Sequence, residues 1–169
     1  MKKLLVTGGA GFIGSSVLHA LIDSETELIC VDNFDTTYDP KFKQQNIEAL
    51  LSQGRCELRT LDITNRAALF AVFAETKPTH VLHLAAKADT RRAVEEPLDY
   101  INNNIIGTLN ILDACVAHGV TNLVAASSSS VYGNEKVVPW REDNYHLQPI
   151  SPYGVTMLST EQLAYSYAY

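Results

Sequence analysis

The sequence predicts an α/β fold: a doubly wound parallel sheet, strand order 3-2-1-4-5, with helices on both faces. Three observations lead there. Short apolar runs alternate with longer stretches of helical period along the whole chain. Glycines at positions 8, 11 and 14 separate the first apolar run from the first helical stretch. An acid, Asp32, closes the second apolar run about twenty residues further on.

Lys3–Thr7 is apolar and too short for a helix, so it predicts a buried strand. A helix is expected over 11–23, a second strand over Glu27–Asp32 and a polar-faced helix over 41–53. The next pair is a strand over 56–61 and a helix over 65–75, started in the Asp62/Thr64 region. A fourth strand follows over 79–84. Pro97 suits a first helical position and Gly119 a stop, so one long helix is expected over 97–118. The fifth strand covers 122–127, and a loop rich in glycine, proline and charge runs to Gln148. Ser151 and Pro152 are N-cap and first-turn residues of a last helix that continues to Tyr169.

With 169 residues, 46% hydrophobic and 19% charged, the chain has material for one globular domain. A net charge of −6 leaves no basic field, so neither nucleic acid nor an anionic membrane surface is an expected partner. Cys30, Cys56 and Cys115 lie in or beside apolar runs without ligand spacing. They read as reduced thiols of a cytoplasmic protein, with no metal site. Met1-Lys2-Lys3 precedes an apolar stretch that breaks at Gly8, too short for a signal peptide or a membrane span.

The glycine loop carries the first functional signal. Gly8, Gly11 and Gly14 allow a tight turn, close approach of backbone to a pyrophosphate, and helix–strand packing. The helix N-terminus then holds the phosphates through free N–H groups and its dipole. Asp32 suits the hydroxyls of an adenosine ribose and disfavours a 2′-phosphate, which points to NAD over NADP. By itself, it would read as a turn aspartate.

The second signal is Ala126-Ser127-Ser128-Ser129-Ser130-Val131-Tyr132-Gly133 after the fifth strand, followed by Ser151-Pro152-Tyr153-Gly154. With the glycine loop, these residues resemble the extended short-chain dehydrogenase/reductase family of NAD-dependent nucleotide-sugar epimerases and dehydratases. The resemblance runs from Lys3 to the end and implies an NAD-binding Rossmann domain. It is strongest to the UDP-glucuronate 4-epimerases, through Val31-Asp32-Asn33-Phe34, Tyr38-Asp39-Pro40 and His83-Leu84-Ala85-Ala86. Dehydratases carry an acidic pair where this chain has Ser129 and Ser130, so an epimerase is the expectation.

The resemblance implies that Tyr153 is the catalytic base and that Ser128 hydrogen-bonds the sugar 4-hydroxyl. Phe12 and Ile13 would line the pyrophosphate. Asp32, Asn33, Phe34, Asp35, Thr36 and Thr37 would face the adenosine ribose. Asp62 and Ile63 would face adenine, although Asp62 alone could equally start a helix. Leu84, Ala85, Ala86 and Ala88 would meet the nicotinamide half. Asn103 matches a cofactor contact or lies on a solvated helix face. Arg91 matches a residue that meets a sugar carboxylate or phosphate, or is a surface arginine. The implied reaction is epimerisation at C4 of a UDP-sugar, UDP-glucuronate, through a 4-keto intermediate. The implied assembly is a homo-oligomer, commonly a dimer.

One position departs from the family pattern. A lysine is expected four residues after the tyrosine, one turn along the same helical face. Here that residue is Met157. Methionine has neither charge nor donor, so it cannot favour a tyrosinate or bond a nicotinamide ribose. The family also continues for about as many residues again, with a substrate-binding domain expected to be absent here. Impaired catalysis is therefore the expectation, and a non-catalytic NAD-binding or interaction module is the alternative.

Overall fold

The computed structural model describes residues 2–22, 25–144 and 146–169. Asp23, at the end of the first expected helix, lies outside the described residues. The chain divides into two compact units, 1–85 with 110–125 and 86–109 with 126–169.

The first unit holds the sheet. Its strands are β1 (Lys3–Thr7), β2 (Glu27–Asp32), β3 (Cys56–Thr60), β4 (His80–His83) and β5 (Asn122–Ala125). They form one sheet in the order β3-β2-β1-β4-β5, and every neighbouring pair is parallel. This is the expected topology. Because helices cover a parallel sheet, β1 and β2 are nearly continuous apolar runs. Leu5, Ile29, Val31 and Val81 pack with Leu69 and Phe73 of α3 (Arg66–Thr76). Val6, Leu28 and Cys30 pack with Leu18 of α1 (Phe12–Ala20) and with Ile47 and Leu50 of α2 (Pro40–Ser52).

Local signals set most helix ends. Asp39 accepts from Lys41 N at 3.0 Å and Asn65 from Ala68 N at 3.1 Å, capping α2 and α3. Gly119 takes the left-handed conformation at φ +69° that ends a helix.

The second unit is built differently from expectation. A short helix, α4 (Arg92–Glu95), had no distinct signal. The single helix expected over 97–118 is three pieces: α5 (Pro97–Tyr100), a wide π segment (Ile101–Ile106) and α6 (Gly107–Ala117). The expected loop after β5 contains a 3₁₀ turn, Ser129–Tyr132, and the last helix, α7, is Pro152–Tyr167. Ala93, Tyr100, Val131, Tyr153 and Met157 form this unit's core. Among the described residues no helix is long and apolar enough to cross a membrane.

Candidate functional site

The glycine loop lies between β1 and α1 in the first unit. Gly8 has φ +67°, and Gly11 N donates back to its carbonyl at 3.0 Å, closing a tight turn. A Cβ on Gly14 would stand 2.3 Å from Gly8 O and 2.7 Å from Gly9 Cα. Only glycine lets this helix approach the loop so closely. Unlike α2 and α3, α1 has no side-chain cap, and its first turn holds no acid. Its first-turn amides and positive dipole end therefore suit an anion, and a pyrophosphate fits that chemistry. Phe12 and Ile13 flank this end and are exposed.

A hydrogen-bond network fixes the start of the loop. Thr7 Oγ1 accepts from Leu84 N at 3.2 Å and Ala85 N at 3.3 Å, and lies 2.6 Å from His83 Nδ1. A hydroxyl has one proton. Having accepted from two amides, Thr7 gives its proton to Nδ1, and His83 is the neutral Nε2–H tautomer. Burial pushes the imidazole down to about 4. Leu84 and Ala85 of the expected cofactor segment are thereby anchored to β1.

Asp32 is buried at the end of β2. Its carboxylate accepts from Ala10 N at 3.2 Å, Phe34 N at 2.8 Å and Lys43 Nζ at 3.2 Å. It thereby ties the glycine loop and the turn after β2 together. Lys43 was not anticipated. The signal that could have found it is its place in the stripe Lys43, Ile47, Leu50, the buried face of α2.

The segment after Asp32 is a series of side-chain-supported turns. Asn33 accepts from Asp35 N at 2.9 Å, Asp35 accepts from Thr37 N at 2.8 Å, and Thr36 is exposed. Phe34 adopts φ +54°. Asn33 Nδ2 also donates to Asp62 at 2.9 Å. Burial opposes ionisation of Asp62, but the hydroxyl and amide of Thr64 with the Asn33 amide outweigh it and hold the carboxyl below its ordinary value. The neighbouring Ile63 is buried, and its carbonyl accepts from Asn110 Nδ2 at 3.0 Å.

The second unit brings Ser128 and Tyr153 onto adjoining elements. Ser128 caps the 3₁₀ turn, accepting from Ser130 N at 3.2 Å, while Ser127 donates to Glu161 on α7. Ser151 caps α7 through Gly154 N at 3.0 Å, which puts Tyr153 in the first turn. A Cβ on Gly154 would lie 2.7 Å from Ser130 O, so glycine permits helix and turn to touch. Tyr153 is 8% exposed and meets Tyr100 edge-to-face, with ring centroids 6.4 Å apart.

Asn104, not Asn103, is the buried asparagine of its run, at 1% exposed. It donates to Lys87 O and Thr156 Oγ1, each at 3.0 Å, and accepts from Lys87 N at 2.8 Å and Asn103 Nδ2 at 2.9 Å. Both protons and both acceptor positions are used. Thr156 in turn donates to Tyr153 O at 2.7 Å, so this network stiffens the first turn of α7. Ala86 and Ala88 are exposed on either side of Lys87. Arg91 is exposed too; its backbone N–H donates to Asp89 at 2.9 Å and its carbonyl accepts from Val94 N at 3.0 Å. Met157 is 3% exposed, packed in the core that holds Tyr153. Among the described residues no group of three or more His, Cys, Asp or Glu side chains could hold a metal.

A parallel 3-2-1-4-5 sheet with an uncapped glycine loop after β1 is the architecture of doubly wound nucleotide-binding proteins. Residues 4–169 match the NAD dependent epimerase/dehydratase family, and the chain belongs to it. It is 39% identical over 167 residues to a UDP-glucuronate 4-epimerase of Thermodesulfobacterium geofontis, covering 99% of this chain and 51% of that protein. It is 37% identical over 162 residues to UDP-glucose 4-epimerase 2 of Arabidopsis thaliana, covering 96% of this chain and 46% of that one. Among solved structures it is similar to the UDP-glucuronic acid 4-epimerase of Bacillus cereus in complex with UDP-glucuronic acid and NAD. There the TM-score is 0.89 at 36% identity, over 98% of this chain and 52% of that one. The chain thus spans about half the length of these relatives.

Proposed function

We propose that this chain carries the NAD-binding part and the Ser128–Tyr153 pair of an enzyme that epimerises a UDP-sugar, UDP-glucuronate, at C4. The observation that carries this reading is the seating of Tyr153 in the first turn of α7 against the turn that Ser128 caps. In this reading Tyr153 Oη takes the proton of the sugar 4-hydroxyl, and the Ser128 hydroxyl hydrogen-bonds the same oxygen. NAD, when bound, would supply the hydride acceptor and donor that a 4-keto intermediate requires. The proton then goes back from Tyr153 to the 4-oxygen.

The glycine loop and the α1 N-terminus hold the pyrophosphate, flanked by Phe12 and Ile13. Asp32 with residues 33–37 serves the adenosine ribose, and Asp62 with Ile63 serves adenine. Leu84, Ala85, Ala86, Ala88 and Asn103 serve the nicotinamide half, and Arg91 the sugar carboxylate or phosphate. Self-association belongs to the same reading, supported by the exposed apolar side chains of Val94, Leu98, Ile101 and Val155. A reducing, cytoplasmic setting is supported by three cysteines without a disulfide.

Met157 weakens the base step, because no ammonium stands one turn from Tyr153. Its burial beside Tyr153 favours a second reading, a dinucleotide-binding module that performs no chemistry. The test combines calorimetric titration with NAD and chromatographic detection of the C4 epimer of UDP-glucuronate. The proposal expects NAD binding and slow conversion that Tyr153→Phe abolishes and Met157→Lys accelerates. NAD binding with no conversion by either wild type or Met157→Lys, in this chain and in a version extended with the C-terminal half of a relative, supports the second reading. No NAD binding removes both.

A further inference from the structure

Ser127 and Glu161 are joined across 34 residues of sequence, the Ser127 hydroxyl donating to Glu161 Oε1 on α7. Ser127 is exposed, and Glu161 is half-buried in the third turn of the helix. In competition with water a neutral acceptor holds a hydroxyl weakly, whereas a carboxylate makes a charge-assisted bond of roughly twice the strength. The far end of the same turn meets α7 by other means. A Cβ on Gly154 would stand 2.7 Å from Ser130 O, so the turn abuts the first turn of the helix. Val131 is buried in the core that also holds Tyr153 and Met157. Gly154, Met157 and Glu161 mark three successive turns of α7, about 10 Å along its axis. Ser128 lies between the two fastenings, extended at φ −147° and ψ 145°.

Ser128 Oγ accepts from Ser130 N at 3.2 Å, a bond inside its own turn that does not fix the turn against α7. Packing of Val131 sets how closely the turn lies on the helix. It does not set the register along the helix, because apolar contact is non-directional. A hydrogen bond is directional, and the Ser127–Glu161 bond supplies that register. We propose that Glu161 is a positioning residue: through Ser127 it holds the turn at the level where the Ser128 hydroxyl and Tyr153 serve one substrate oxygen. The proposal rests on the epimerase reading given above. Glu161 touches neither substrate nor cofactor in it and acts only on the turn that presents Ser128.

The test has two readouts, on wild type, Glu161→Ala, Glu161→Gln, Ser127→Ala and the double alanine variant. The first is amide hydrogen exchange in the full chain at Ser130 and Val131, whose N–H groups donate to Ser128 Oγ and Ser128 O. Glu161→Ala and Ser127→Ala each speed exchange there about tenfold, the scale of one hydrogen bond to a charged group. Exchange at Gly154 and Val155, bonded to Ser151, keeps the wild-type rate. Glu161→Gln retains an acceptor for the hydroxyl and exchanges nearer to wild type than Glu161→Ala. The second readout is conversion of UDP-glucuronate by the chain extended with the C-terminal half of a relative. There kcat falls about tenfold in each single alanine variant while KM holds, and the double variant falls no further. Unchanged exchange at Ser130 and Val131 overturns the proposal. So does acceleration shared equally by Gly154 and Val155, the mark of a general structural support. A kcat held at wild type, or a double variant whose loss is the product of the single losses, overturns it too. Should Glu161→Ala fail to fold, Ser127→Ala, at an exposed position, decides by the same criteria. No conversion by the extended wild type removes the epimerase reading and this proposal together. Conversion with unmoved exchange removes this proposal alone.

Discussion

Lowering the pH from 7 to 5 should destabilise this protein through His83. The imidazole is buried, bonded through Nδ1 to Thr7 Oγ1 at 2.6 Å, and burial pushes it down to about 4 from the ordinary 6.5. Above pH 6.5 the group is neutral whether the chain is folded or not, and stability is independent of it. Below pH 6.5 the unfolded chain gains a proton that the folded chain refuses, so stability falls until the folded group titrates near 4. At 1.36 kcal/mol per pH unit, the loss is about 2 kcal/mol by pH 5 and about 3 kcal/mol in full. The lowered carboxyl of Asp62 makes its own contribution below this window. Urea unfolding followed by circular dichroism at pH 7, 6 and 5, on wild type and His83→Gln, isolates the effect. Groups common to both proteins cancel. Wild type should lose about 2 kcal/mol more than the variant between pH 7 and 5, although the variant starts less stable. Parallel pH dependence in the two proteins would refute the neutral buried imidazole and the proton assignment on Thr7.

Three further outcomes are expected. Gly14→Ala puts a Cβ 2.3 Å from Gly8 O, forcing the loop open; NAD affinity measured by calorimetry should fall about tenfold or more. Asn104→Ala strands buried partners on Lys87 and Thr156; it should cost about 3 kcal/mol and lower the melting temperature by about 6–12 °C in a thermal scan. Met157→Lys places an ammonium in an apolar core, so the nucleotide-free protein should melt lower than wild type. The rise in melting temperature on adding saturating NAD should then exceed that of wild type, because the bound ribose supplies a partner for the charge; an equal or smaller rise counts against a ribose near residue 157.

Strands, their order and the helix starts were legible because their signals are local. Apolar runs between glycines and caps define Lys3–Thr7 and Glu27–Asp32 residue for residue. Ser151 and Pro152 start α7 by the capping and first-turn geometry that their types favour. The glycine loop is legible for the same reason, since only glycine meets its close approaches. What the tertiary structure decided depends on partners far away in sequence. Strand β5 ends at Ala125, short of residue 127, where its pairing with His83 exhausts β4. The run over 97–118 reads as one helix by period, yet it widens to a π segment around Asn104, whose bonds reach Lys87 and Thr156, 17 and 52 residues away. A wider turn re-aims side chains, and no local preference records which asparagine will be buried. Lys43 looked like one more polar residue of α2 until Asp32 took its charge, and only the packing of Ala93, Tyr100 and Val131 makes Met157 a core residue. Sequence determines which residues are able to bury a charge or an apolar chain; the fold decides which ones do, because burial is set by neighbours that only folding assembles.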